Sequence, residues 1–376
     1  MTERCDVLIV GGGPAGSACA WRLRRAGLDV LVLDKQAFPR DKVCAGWITP
    51  AVLKALDIDQ EDYAARHVFQ PITRFRTGVI GGGWVETAYD GPVSYGIRRC
   101  EFDHYLLARS GARLRLGEPV TKLERDGGEW VVNGSIRTPM LVGAGGHFCP
   151  IARHLGAQLG RNEPAVAAQE IEFPLSPRQE ALCQVEPDRP ELYFCPDLKG
   201  YGWCFRKQNY LNVGLGRQDN RGLAEHVELF VEFLKRHGRI PPDLPARFRG
   251  HAYLLYGAAP RNLVDDAVLL IGDAAGLAYP QSGEGIRPAI ESGLFAAQTI
   301  LAAGDDYQRA NLKPYLALLA ERFGGRPDRS PRRAAPPLPA KVQQFLAARL
   351  LATRWFSRHV LLDRWFLHNH QAPLRV

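Results

Sequence analysis

Nothing in the 376 residues forms an apolar run of the roughly 18 positions that a membrane-spanning helix requires. The first strand-like pattern begins at Asp6, which leaves no room for a secretory leader, so a cytoplasmic protein is expected. The eight cysteines (Cys5, Cys19, Cys44, Cys100, Cys149, Cys183, Cys195 and Cys204) are scattered, with no CxxC pair and no Cys/His spacing suited to zinc. Buried thiols are therefore expected rather than disulfides, and no metal site, since His147 and Cys149 supply half a ligand set at best. No G-x-S-x-G elbow occurs at a strand-to-helix turn, which excludes hydrolases of that kind. No Lys/Arg-rich block is interleaved with aromatic residues, so no nucleic-acid partner is expected despite a net charge of +8. That surplus suits an anionic cofactor, an anionic substrate or an acidic membrane surface.

A hydrophobic share of 46% and a charged share of 23% fit a globular protein, and the length fits two domains sharing a large core. The apolar run Asp6-Val7-Leu8-Ile9-Val10 leads into Gly11-Gly12-Gly13-Pro14-Ala15-Gly16, followed by the small residues Ala18 and Ala20. This pattern predicts strand, phosphate-binding turn and helix. Gly11 permits the tight turn, Gly13 lets the backbone approach a pyrophosphate, and Gly16 lets the helix pack on the strand. The helix start at Pro14 and Ala15 offers free N–H groups and positive dipole to an anion. A second apolar run, Val30 to Leu33, ends at Asp34, near the roughly 20-residue spacing expected of a ribose-binding carboxylate, with Lys35 beside it.

Further along, residues 35–46 are too rich in turn and charged residues for a helix and predict an extended loop near the cofactor. Residues 50–56 predict a short helix, 68–97 strands with a turn at Gly81-Gly82-Gly83, and 98–112 a helix. A β-meander over 120–136 and a buried strand at Met140-Leu141-Val142 run into Gly143-Ala144-Gly145-Gly146. Strand patterns dominate 165–215, and alternation puts Tyr201, Trp203 and Phe205 on one face. Residues 222–237 predict an amphipathic helix with Leu223, Val227, Phe230, Val231 and Leu234 on its apolar side. A strand over 267–271 enters Gly272-Asp273-Ala274-Ala275-Gly276, with a long helix starting near Gly285. Residues 324–340 predict a Pro/Arg-rich linker, and 341–368 a helical tail dense in Phe, Leu, Trp and Arg.

The expected fold is mixed α/β, with interleaved domains. Segments 1–67, 98–164 and 257–305 build a Rossmann-like dinucleotide domain. Segments 68–97 and 165–256 supply an antiparallel substrate-binding sheet, and 306–376 a helical C-terminal region.

Four patches in this order resemble the FAD-dependent oxidoreductases of the p-hydroxybenzoate hydroxylase fold, and within them the geranylgeranyl reductase family. They are the glycine turn with Asp34; Gly143 to Gly146 with Arg153; Gly272-Asp273 through Pro280, Gly283, Glu284, Gly285 and Ile286; and Gly200-Tyr201-Gly202-Trp203-Cys204-Phe205-Arg206-Lys207 with Asn212-Val213-Gly214-Leu215-Gly216. The resemblance implies FAD as the held dinucleotide. It assigns Asp273 to a ribityl or ribose hydroxyl, the helix start at Gly283 to Ile286 to the flavin pyrimidine oxygen, and Arg99 to the phosphate–ribose region. The loop Arg40-Asp41-Lys42-Val43-Cys44-Ala45-Gly46 is similar to one in which the cysteine faces the flavin. Gly145 stands where the fold usually carries Asp, and Arg206 where the reductases carry Pro.

What this implies is an enzyme that reduces C=C bonds of an isoprenoid-like or other apolar substrate, by hydride from the flavin with a nearby proton donor. Cys44, with Tyr201 and Trp203, would form the catalytic set, and Tyr201, Trp203, Phe205 and Tyr279 the substrate wall. The reductant would be NAD(P)H or a reduced electron carrier, which brings in an electron-donor protein as a partner. Two other readings stay open, a flavin-dependent monooxygenase of an aromatic or lipid substrate and an electron-transfer flavoprotein; halogenation is disfavoured because Tyr201 and Arg206 replace that strand's Trp and Pro. The C-terminal tail suits either core packing or a peripheral membrane contact.

Overall fold

The computed structural model describes residues 2–159, 163–219, 222–245, 247–258, 260–325 and 339–374. Most of the expected linker over 324–340 therefore lies outside the described residues.

The chain begins with a doubly wound unit. Its six-stranded sheet runs in the order Val264–Asp265, Val268–Leu270, Met140–Gly143, Val7–Val10, Val30–Asp34, Arg113–Leu116, parallel except for the hairpin at the first edge. The central strands are buried along their whole length, which is why they read as unbroken Val/Ile/Leu runs. The glycine-loop helix, Pro14–Arg25, follows the first strand, and the long helix, Ile286–Ala303, packs on it. The two helices meet backbone to backbone, because a Cβ at Gly293 would overlap the Ala15 carbonyl oxygen. That close approach explains the run of small residues in both.

The second unit is a seven-stranded sheet in the order Arg249–Tyr253, Val166–Pro174, Tyr210–Arg217, Gly200–Lys207, Glu191–Phe194, Arg74–Val79, Trp84–Ala88. Neighbours are antiparallel except Glu191–Phe194 with Arg74–Val79. Its two faces differ as strand alternation requires. Cys204 and the flat spot at Gly202, against the Phe230 ring, face the helix Leu223–Arg236, whose buried side carries Leu223, Val227, Phe230, Phe233 and Leu234. Phe233 joins the expected set, and Val231 packs half-buried against the same cluster. The other face carries Trp203 and Phe205, and the tail covers part of it with Leu351, Leu361, Leu362 and Phe366.

The tail comprises a helix at Ala340–Leu351, a turn at Arg354–Phe356 and a π-helical stretch at Ser357–Phe366. All eight cysteines are free, and only Cys44 and Cys100 are not fully buried. Among the described residues no helix is long and apolar enough to cross a membrane.

Candidate active site

A cavity of about 650 Å³ runs from the glycine turn to the inner face of the seven-stranded sheet. At its first end Gly11, Gly13, Pro14, Ala15, Asp34 and Lys35 line it. Gly11 has φ +117°, and a Cβ there would overlap the Ala144 carbonyl oxygen; a Cβ at Gly16 would overlap the Gly11 carbonyl oxygen. Gly16 thus shapes the turn from behind the lining. Asp34 Oδ2 accepts the Gly12 N–H at 2.7 Å and Oδ1 accepts the Gln36 N–H at 2.8 Å, which fixes the carboxylate at the cavity edge. The glycine-loop helix has Gly13 at its N-cap, no side-chain cap and no acid in its first turn, so its free N–H groups remain available to an anion.

In the middle, the loop that follows Asp34 folds across the cavity. Arg99 grips the fully buried Asp103 through two hydrogen bonds of 2.8 Å, and Arg40 reaches the same carboxylate at 3.3 Å. Cys44 Sγ further accepts the Gly46 N–H at 3.4 Å. Lys42 Nζ lies 2.6 Å from His251 Nε2 and 3.9 Å from Asp273 Oδ2. Burial pulls the Lys42 ammonium down to about 8, Asp273 opposes the shift, and Arg99 and Arg40 reinforce it. Burial raises the Asp273 carboxyl, but the His251 hydrogen bond and the Lys42 and Arg99 charges outweigh it and hold the group well below the usual carboxylate range. Ala45 and Gly145 complete this part of the lining.

The turn after Val268–Leu270 brings Asp273, Gly283, Glu284, Gly285 and Ile286 to the cavity. Gly285 is the N-cap of the long helix, again without a side-chain cap or first-turn acid. Gly272 sits one layer behind, with φ +60° and packed against Ala15. Pro280 is exposed and does not line the cavity. Tyr279, expected in the substrate wall, points the other way: its ring stacks on His368 at 3.7 Å and its hydroxyl donates to Gln371 Oε1 at 2.9 Å. The tail supplies aromatic and amide partners that the cavity side does not.

At the far end Tyr201, Trp203 and Phe205 line the cavity together with Trp47, Leu192 and Phe366. Trp47 stacks on Phe205 at 5.5 Å, and Phe366 meets Tyr201 edge-on at 5.4 Å. The Trp203 ring lies flat over Gly214, where a Cβ would overlap it, and its indole N–H donates to Asn212 Oδ1 at 2.7 Å. Asn212 Nδ2 in turn donates to the Cys44 carbonyl oxygen at 3.2 Å and to Glu170 Oε2 at 3.4 Å. Glu170 is buried, which pushes its carboxyl up to about 8 against the opposing Cys44 backbone hydrogen bond.

Sequence reasoning missed His251, Tyr253, Asn212, Glu170, Trp47 and Phe366 as members of this site. Asn212 and Gly214 stood in the quoted strand motif without a role, and Glu284 stood in the turn motif; nothing local marked the others.

Residues 6–91 match the FAD dependent oxidoreductase family called DAO. A menaquinone reductase of Mycobacterium tuberculosis is 31% identical over 347 residues, spanning 86% of this chain and 82% of the relative. The chain belongs to the geranylgeranyl reductase family of FAD-dependent oxidoreductases. A digeranylgeranylglycerophospholipid reductase of Methanocaldococcus jannaschii is 27% identical over 84% of this chain and 82% of its own length. In fold, the chain is similar to a geranylgeranyl bacteriochlorophyll reductase-like protein of Thermoplasma acidophilum, with a TM-score of 0.73 at 23% identity over 94% of this chain and 89% of that one. The protein is thus an FAD-dependent enzyme, and the uncapped N-terminus of the glycine-loop helix, the side-chain-free turn at Gly11 and the carboxylates Asp34 and Asp273 fit that cofactor.

Proposed function

We propose that this member of the family saturates C=C bonds of a polyprenyl chain. The observation that carries the reading is the cavity's change of character along one continuous path. A polar, anion-receptive end is followed by an apolar wall of Trp47, Leu192, Tyr201, Trp203, Phe205 and Phe366, which fits a long chain of isoprene units better than a polar ring. The names of the relatives, a menaquinone reductase and a digeranylgeranylglycerophospholipid reductase, support the same class.

FAD, once reduced and bound, supplies a hydride. This chain's residues do the rest. Asp34 takes a ribose hydroxyl, the glycine-loop helix the diphosphate, Asp273 a ribityl hydroxyl, and the Gly285 helix start the flavin pyrimidine edge. The apolar wall excludes water and aligns the double bond. Cys44, held by the Gly46 N–H at its sulfur and by Asn212 at its carbonyl oxygen, gives its S–H proton to the carbon that does not receive the hydride.

The same substrate class accounts for the tail's outer surface. Val342, Phe345, Leu346, Leu350 and Trp355 are exposed there, with Arg349 stacked over Phe345. Apolar and cationic side chains interleaved on one short stretch suit a peripheral contact with an anionic membrane, where a polyprenyl substrate resides. The inner side of the tail packs in the core through Leu351, Leu361, Leu362 and Phe366, which leaves the outer face free for such a contact.

The reading is tested by reducing the holoenzyme anaerobically and adding menaquinone or geranylgeranyl diphosphate. The expected product carries two more hydrogens in its side chain; a hydroxylated product formed only with oxygen would replace this reading by the monooxygenase one.

A further inference from the structure

Each saturation consumes one proton, and the tail reaches the cavity with Phe366. Where that proton comes from is legible in three side chains that the mechanism leaves unused. Glu284 lines the cavity with its side chain about 10% exposed. Its Oε1 accepts the Arg287 N–H at 3.2 Å, whereas its Oε2 is buried with no hydrogen-bond partner among the described residues. His368 Nε2, also buried and without such a partner, stands 3.7 Å from that oxygen. The His368 ring is held by stacking on Tyr279, and its neighbour in the other direction is the ring of the exposed His370 at 6.0 Å.

We propose that Glu284, His368 and His370 form the proton-uptake path of the cavity, carrying protons after each reduction from solvent into the space that Cys44 also lines. The inference rests on the C=C reduction reading. Once the Cys44 S–H proton has gone to the substrate carbon, the Glu284 O–H bond breaks and its proton enters the cavity that both residues line, where the sulfur lone pair takes up one proton. As His368 takes a proton from His370 and solvent at its other nitrogen, the carboxylate takes the proton of its Nε2–H, so the ring is neutral before and after. The net change is one proton taken from water per hydride delivered, with no further electron transfer.

The electrostatics suit a path of this kind. Burial pushes the Glu284 carboxyl up to about 7 against the Arg287 charge, with Glu291 reinforcing the rise, so the group changes protonation in the neutral range. Burial pulls His368 down to about 3, with Arg287, His370 and Arg322 adding to the shift, so it is a neutral ring that passes protons rather than storing them. Burial also lowers His370, helped by Arg364, Arg287 and Arg322. The other titratable side chains acting on this group are Tyr201 and Tyr279, both raised above their ordinary values.

The test uses flavin-loaded enzyme kept reduced by excess dithionite and menaquinone as the probe, with Glu284→Gln and His370→Ala. In His370→Ala the first turnover, which spends the proton already on Cys44, keeps its rate. Later turnovers slow by about 10-fold or more in Glu284→Gln, and the slower His370→Ala is rescued by added imidazole. Infrared titration of the oxidised holoenzyme, with no substrate present, shows a carboxyl C=O band titrating near neutrality that Glu284→Gln removes. Equal slowing of first and later turnovers, unchanged later turnovers, or absence of that band overturns the path. A titrating band with no turnover of any polyprenyl probe by the wild type overturns the reduction reading and the path with it.

Discussion

The Asn212 side-chain amide donates to the Cys44 carbonyl oxygen at 3.2 Å, so a residue in the centre of the seven-stranded sheet holds the loop that crosses the cavity. Because the same amide accepts the Trp203 indole N–H at 2.7 Å, one side chain sets both the aromatic wall and the position of the cysteine. Asn212→Ala leaves a buried indole N–H unpaired, at a cost of about 1–3 kcal/mol. Thermal unfolding should show a midpoint lower by a few degrees, and flavin should still bind.

Turnover in Cys44→Ser should fall by roughly 10²-fold or more with the FAD content unchanged. Stopped-flow reoxidation of the reduced variant, alongside its absorption spectrum, checks both halves. Full activity would remove Cys44 from the chemistry.

Gly11→Ala places a Cβ against the Ala144 carbonyl oxygen at a φ of +117°, so the turn must open. The variant should purify with most of its flavin missing, read as loss of the yellow absorption at equal protein concentration.

Glu170 gives a pH dependence with a definite sign. Its folded pKa, raised by burial to about 8, lies above the unfolded value of about 4.5. Between those values the native state holds a proton that the unfolded state has released, so stability falls as pH rises through this window and levels off above it. Glu170→Gln removes the dependence. Unfolding free energies from denaturant titrations at pH 5 to 9 should therefore diverge in favour of the variant, by an amount on the order of a few kcal/mol at the alkaline end.

The tail's outer face gives a prediction at the level of partners. Replacing Phe345, Leu346 and Trp355, which are 58%, 45% and 67% exposed, by Ser should abolish cosedimentation with vesicles rich in anionic lipid while leaving the melting temperature almost unchanged. Retained cosedimentation would rule out this face as the contact.

Local signals carried the fold a long way. The glycine turn, the continuous apolar strands and Asp34 are governed by near neighbours in sequence, and the alternation of Tyr201, Trp203 and Phe205 sufficed to predict their common face. Tyr279 was misread because its neighbours in sequence line the cavity, whereas its ring is claimed by His368 and Gln371, about 90 residues away. His251 and Glu170 were invisible for a related reason. Their chemistry depends on contacts with Lys42, Asp273 and the Cys44 backbone made only when the two units close on the loop. Burial likewise decides that Glu284 is a cavity acid rather than a surface charge, and no sequence pattern encodes that.

The central claim, that the aromatic end of the cavity presents a polyprenyl double bond to the reduced flavin, is tested most directly by anaerobic reoxidation. Enzyme reduced with dithionite and freed of excess reductant is mixed with menaquinone, the flavin absorbance is followed, and the quinone's side chain is analysed by mass spectrometry. The account predicts reoxidation without oxygen and a side chain bearing two added hydrogens. A flavin that stays reduced until oxygen is admitted, with the side chain unchanged, would contradict it.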